Sequence, residues 1–107
     1  MSSSAALFRA LAHPARLRIL DRLRLGERAA GALGAGEAMS QPALSVHLAV
    51  LRRARLVRVR REGRRRLYRI DPRGVERVGG WARRYERFWR ARLGALREHL
   101  EGEGRDG

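Results

Sequence analysis

Along most of the chain apolar side chains return every three or four residues, the spacing that places them on one face of an α-helix. Ala6, Leu7, Ala10 and Leu11 follow it over residues 5–12. His13-Pro14 separates this first helix from a second, with Pro14 at a first helical position, where its missing N–H has no intrahelical partner to lose. In the second helix Leu17, Leu20 and Leu23, with Ile19 beside them, predict the inner stripe. Arg16, Arg18, Arg22 and Arg24 coat the rest, and Gly26 closes the helix. Residues 27–39 (ERAAGALGAGEAM) carry Gly31, Gly34 and Gly36, each costing a helix about 0.8–1 kcal/mol relative to alanine. Only a short, weak helix is expected there. Ser40 is a good N-cap with Pro42 in the first turn after it, and the stripe Leu44, Leu48, Leu51 carries the next helix to about residue 54.

The period then switches to alternation. Val57 and Val59 face one way with Arg58 and Arg60 opposite, and Tyr68 and Ile70 face opposite to Leu67 and Arg69. With Glu62-Gly63 as the turn and Asp71-Pro72 as the stop, this predicts a two-stranded hairpin. From about residue 75 to 100 the helical period resumes through Val75, Val78, Ala82, Tyr85, Trp89, Leu93, Leu96 and Leu100, widened by Trp81 and Phe88. One helix of that extent spans roughly 39 Å, too long for so small a body to cover unless a second surface lies against it. Residues 102–107 read as a flexible tail. The expected class is therefore mainly α with a two-stranded β-hairpin, in one domain over residues 1–101.

Composition changes the picture through charge. The 107 residues carry 25 basic side chains, all arginine, against 11 acidic ones, a net +14. Such a surface calls for a polyanion, either nucleic acid or an anionic membrane. The chain is short enough that a partner subunit would add usefully to its buried surface, so dimerisation is expected. There is no cysteine, which excludes disulfides, thiolate metal sites and thiol nucleophiles. With no secretory signal and no run approaching the apolar length of a membrane span, the expected location is the cytoplasm.

The helix after Ser40 has the two faces that entry into a major groove demands: leucines inward, short polar side chains outward. Gln41 can donate and accept at an adenine edge, Ser45 can bond a base or a phosphate, and Val46 can touch a thymine methyl. Arg52, Arg53, Arg55, Arg58, Arg60, Arg61, Arg64, Arg65, Arg66 and Arg69 follow closely. Five arginines stand within residues 60–66 (RREGRRR), where they repel one another unless an anion neutralises them, so phosphate or minor-groove contact is expected at this tip.

The segments FRALAHPARLRIL, SQPALSVHLAVL and LVRVRREGRRRLYRI resemble the ArsR/SmtB family of winged helix-turn-helix repressors. WARRYERFWRARLGALREHL is further similar to a subgroup encoded beside START-like (SRPBCC) proteins. The resemblance implies a two-fold dimer built on the first and last helices. Phe8, Leu11, Trp81, Tyr85, Phe88, Trp89, Leu93, Leu96 and Leu100 would form its interface. It also implies a recognition helix matched by Ser40, Gln41, Pro42, Ser45 and His47, with Val46 at its base-reading face, and a wing matched by Arg60, Gly63, Arg64, Arg65 and Tyr68. With Arg52, Arg61 and Arg66 these make up the expected surface for double-stranded DNA. Half-sites about 34–36 Å apart, forming an inverted repeat, would follow from two-fold symmetry. The chain departs from the family pattern at His13, where an acidic cap is usual, at Val46, where glutamine is usual, and at Arg55, where a glycine ends the helix. Arg55 is thus expected to take a left-handed backbone.

No metal and no cofactor is expected. A site in the last helix would need a carboxylate and histidines from both subunits, and only His99, with Glu98, Glu101 or Glu103, offers a fragment of one. Catalysis is not expected either, because there is no paired-carboxylate site and no phosphate loop, and the three histidines lie on separate elements. Two questions stay open at this level. Trp81, Tyr85, Phe88 and Trp89 suit a dimer core but also a pocket for an unknown small apolar effector. The charge alone also suits a non-specific architectural DNA- or RNA-binding protein.

Overall fold

The structure, a computed structural model, describes the backbone of residues 3–106 and the side chains of residues 4–102. Its elements are α1 (Ser3–Leu11), α2 (Pro14–Leu23), β1 (Arg28–Ala29), α3 (Ala30–Gly34), α4 (Gln41–Arg53), β2 (Val57–Glu62), β3 (Arg65–Ile70) and α5 (Pro72–Asp106). They group into two compact units, residues 1–77 and 78–107. The division follows the core. Every buried apolar side chain among the described residues lies between Leu7 and Tyr68, whereas residues 81–101 are exposed.

In the first unit the core gathers Leu7 and Ala10 from α1, Ala15, Ile19 and Leu23 from α2, Leu33 from α3 and Leu44, Leu48 and Leu51 from α4. The buried face of α2 is turned from the one its leucines suggest. Ile19, flanked one turn away by Ala15 and Leu23, is fully buried on a helix that packs against α4 and β3, while Leu17 is left 50% exposed. The rotation comes from packing on two sides, which periodicity within one helix does not contain.

The expected two-stranded hairpin forms as β2–β3, and β1 extends it to three antiparallel strands in the order β1-β3-β2. Arg28 and Ala29, expected to begin a weak helix, instead pair with Tyr68 and Leu67. Glycines at 31, 34 and 36 weaken the helical alternative, and β3 would otherwise leave an unpaired edge beside α3. Only five residues remain helical, held by the fully buried Leu33. As the central strand, β3 also breaks the expected alternation, because Leu67 and Tyr68 are both buried. The hairpin loop is Gly63-Arg64, one residue later than expected. Gly63 has φ 62° at the first loop position, which a type II′ turn gives to glycine.

α4 ends as the departure at Arg55 foretold. Arg55 has φ 59°, the Leu56 N–H bonds the Leu51 carbonyl at 2.9 Å, and the Arg55 N–H bonds the Arg52 carbonyl at 3.0 Å. That is a Schellman closure with arginine in glycine's place, at about 1 kcal/mol of strain. Asp71, buried, starts α5: its Oδ1 accepts from the Arg73 N–H at 3.0 Å and its own N–H donates to the Leu56 carbonyl at 2.9 Å. α5 then runs past both expected ends, with helical backbone over residues 102–106 where a tail was expected.

Candidate nucleic-acid interface

The first turn of α4 is set by local chemistry. The Ser40 hydroxyl accepts from the Ala43 N–H at 3.2 Å and Pro42 supplies a pre-set φ. With Leu44, Leu48 and Leu51 buried, Gln41, Ser45 and Val46 face outward, and Val46 is 59% exposed although it is apolar. These three are the groups expected to reach base edges. Ser40 and Pro42 hold the helix start in place, and Ser40's oxygen is already engaged there.

His47 lies differently from Gln41 and Ser45. Its ring sits 4.5 Å from that of His13, and Arg16 Nη1 lies 3.2 Å from its Nδ1. Arginine only donates, so Nδ1 accepts and the neutral ring carries its proton on Nε2. Burial first, and then His13 and Arg16, push its pKa below the ordinary 6.5. The structure therefore places His47 in the α2–α4 contact. His13 itself caps α2, its Nδ1 accepting from the Ala15 N–H at 3.1 Å, the task an acidic residue performs elsewhere.

Arg16 was legible only as a surface cation. It ties three helices together, with Nε donating to the Ala10 carbonyl at 2.7 Å and Nη2 to the Arg9 carbonyl at 3.1 Å, besides its contact with His47. Glu37 plays a similar part, taking Arg18 at 2.8 Å and Arg22 at 3.3 Å, while Arg22 also donates to the Leu33 carbonyl at 2.6 Å. The Arg18 hydrogen bond holds the Glu37 carboxyl below its ordinary range. The available signal was scarcity: in a chain with so few acids, those near helix junctions have arginine partners.

The hairpin presents what remains unneutralised. Arg58 and Arg60 are the exceptions, Arg58 at 3.4 Å from Asp71 and Arg60 bonded to Glu27 at 2.6 Å and near Glu62 at 3.1 Å. Arg61, Arg64, Arg65 and Arg66 are exposed, with no carboxylate within 4 Å among the described residues, as is Arg52 at the end of α4. The register sets Arg61 directly across from Arg66, and Arg58 from Arg69. Like charges in those positions destabilise a hairpin by a few tenths of a kcal/mol to about 1 kcal/mol. α4 packs along β2, so its outward groups and this cationic hairpin belong to one unit.

In the second unit Trp81 and Tyr85 stack with ring centroids 4.6 Å apart, and Phe88 meets Trp89 edge-on at 5.4 Å. Arg92 lies 4.4 Å over the Phe88 ring. Trp89, Leu93, Leu96 and Leu100 are more than half exposed. Phe8 and Leu11, the interface candidates on α1, are half-buried in the first unit.

A model described as a helix-turn-helix domain matches residues 11–60. An HTH-type transcriptional regulator of Mycobacterium tuberculosis is 38% identical over 99 residues, covering 92% of this chain and 90% of that one. A solved ArsR family transcriptional regulator superposes with a TM-score of 0.76 at 26% identity, over 82% of this chain and 97% of the other. The chain belongs to the ArsR family of helix-turn-helix transcriptional regulators. A biofilm growth-associated repressor of Agrobacterium fabrum is 46% identical over 66 residues, 62% of this chain and 56% of that repressor. The homodimeric winged helix-turn-helix DNA-binding domain of a possible ArsR-family regulator from Mycobacterium bovis matches with a TM-score of 0.65 at 38% identity, over 77% of this chain and 76% of that domain. In this ArsR-family chain the two halves of the helix-turn-helix are α3 and α4, and the wing is β2–β3. Among the described residues no helix is long and apolar enough to cross a membrane.

Proposed function

We propose that this ArsR-family chain is a homodimeric, sequence-specific DNA-binding repressor of the cytoplasm, and a binding protein rather than an enzyme. One observation carries the reading: a helix with buried leucines and outward Gln41, Ser45 and Val46 packs beside a hairpin in which Arg61 and Arg66 stand directly across from one another with no carboxylate within 4 Å among the described residues. Gln41, Ser45 and Val46 read base edges, and Arg52, Arg61, Arg64, Arg65 and Arg66 hold phosphates or the minor groove. Arg60 contributes less, because Glu27 already neutralises it. The exposed row from Trp81 to Leu100, with Phe8 and Leu11, pairs two copies, as the homodimeric Mycobacterium bovis domain supports. Two-fold symmetry then demands an inverted repeat with half-sites about 34–36 Å apart, and occupying it blocks transcription.

The test is fluorescence anisotropy on the DNA upstream of the protein's own coding region against a scrambled duplex, over a range of salt. Arg64→Ala with Arg65→Ala should weaken both and flatten the salt slope by about one unit for each phosphate that is no longer neutralised. Gln41→Ala should reduce the preference for the upstream duplex by roughly 1–3 kcal/mol while leaving scrambled binding in place. Equal affinity of the wild type for both duplexes would instead establish a non-specific architectural protein.

A further inference from the structure

Between the C-terminal half of α4 and the edge strand β2 lies a cleft of about 680 Å³, within the usual size range of a small-ligand site. Ala49, Val57 and Val59 give it an apolar lining, and around them stand seven arginines and a single carboxylate, Asp71. That one charge is divided between Arg58 at 3.4 Å and Arg73 at 3.1 Å, which fixes two guanidinium heads while leaving them under-neutralised. Arg52, Arg53 and Arg55 have no carboxylate within 4 Å among the described residues. Arg55 stands here in its left-handed backbone, the only non-glycine residue described with positive φ. A concave wall of one sign focuses its field, and guanidinium forks match phosphate oxygens in pairs.

We propose that this cleft is a phosphate-binding site, taking ligands with two or more phosphate groups, with the alanine and valines lying under an apolar body. Two sources share that chemistry. One is a free phosphorylated molecule of nucleotide size. The other, which rests on the DNA reading above, is the backbone strand between the groove read by α4 and the groove reached by the hairpin.

The probe is inorganic pyrophosphate, titrated into the full chain at constant ionic strength and followed by the arginine Nε–H resonances. The cleft variant is Arg53→Gln with Arg55→Gln, and the equal-charge control is Arg83→Gln with Arg87→Gln, exposed on α5. Binding should saturate in the wild type, weaken about tenfold or more in the cleft variant and stay within about twofold in the control. Absence of saturation, or equal weakening in both variants, would overturn the proposal, since diffuse positive charge does not distinguish the two pairs. Competition then identifies the source. Pyrophosphate that displaces bound DNA at fixed ionic strength occupies the backbone's place, and pyrophosphate that binds alongside DNA marks a site for a free ligand. A wild type indifferent to DNA sequence would overturn the repressor reading while leaving the pyrophosphate result intact.

Discussion

Gly74, in the first turn of α5, has no room for a side chain. A Cβ there would stand 2.3 Å from the Arg55 carbonyl oxygen, 3.0 Å from its carbonyl carbon and 2.9 Å from Leu56 Cδ2. The leucine methyl can step aside, but the carbonyl belongs to the left-handed residue held by the bonds that close α4. Restoring an ordinary carbon–oxygen contact of about 3.3 Å moves the start of α5 by roughly 1 Å. That strains the 2.9 Å bond from the Asp71 N–H to the Leu56 carbonyl and the bond from Arg77 Nη2 to the Ala54 carbonyl. Overpacking of this kind costs about 1–3 kcal/mol and a broken backbone bond about 1 kcal/mol, against about 0.8–1 kcal/mol regained from alanine's helix preference. Gly74→Ala should therefore destabilise by about 1–3 kcal/mol, at roughly 4–8 °C of Tm per kcal/mol. The control is Gly94→Ala, with no atom within 4 Å of its Cβ and on the side of α5 opposite the aromatic row, which should stabilise by about 0.8–1 kcal/mol. Urea denaturation at one fixed protein concentration, followed by circular dichroism, compares the two, because stability coupled to dimerisation depends on concentration. A Gly74→Ala chain as stable as the wild type would refute the claim that α5 is seated on the α4–β2 turn through this glycine.

Three further outcomes are expected. The hydrogen bond from Arg73, helped by Arg58, holds the buried Asp71 carboxyl at about 2 against an ordinary 3.8. The depressed value means stability of about 2 kcal/mol that is full above pH 3.8 and lost as pH falls toward 2, so Asp71→Asn should start less stable and show a shallower acid limb in pH-dependent melts. The lowered pKa of His47 means that folding opposes its protonation. Tm should fall as pH drops below the ordinary 6.5, and His47→Gln should lessen that fall. Arg66→Glu sets a carboxylate across from Arg61 and should raise hairpin stability by about 0.2–1 kcal/mol while lowering DNA affinity. A variant that melts higher and binds DNA as well as before would show that the hairpin is no clamp.

What could be read from the residues was whatever depends on near neighbours in the chain. The Leu44, Leu48, Leu51 stripe and the Ser40 cap follow from side chains a few positions apart and stand where that logic places them; the hairpin turn falls one residue later than expected, and the left-handed Arg55 was implied by the family resemblance. The outward groups of α4 were legible for the same reason, since a helix that buries one face presents the other. Burial against a second element was not legible. Ile19 rather than Leu17 enters the core because α4 and β3 press on that side of α2, and Arg28-Ala29 becomes a strand because β3 offers it an unpaired edge. Nothing along the chain showed that the fold would set His13 and Arg16 against the ring of His47, which the resemblance matched only to the recognition helix. Pattern along a chain reports which face of an element is apolar; which partner meets that face, and which arginine finds a carboxylate, depends on residues tens of positions away and is decided only when the elements pack.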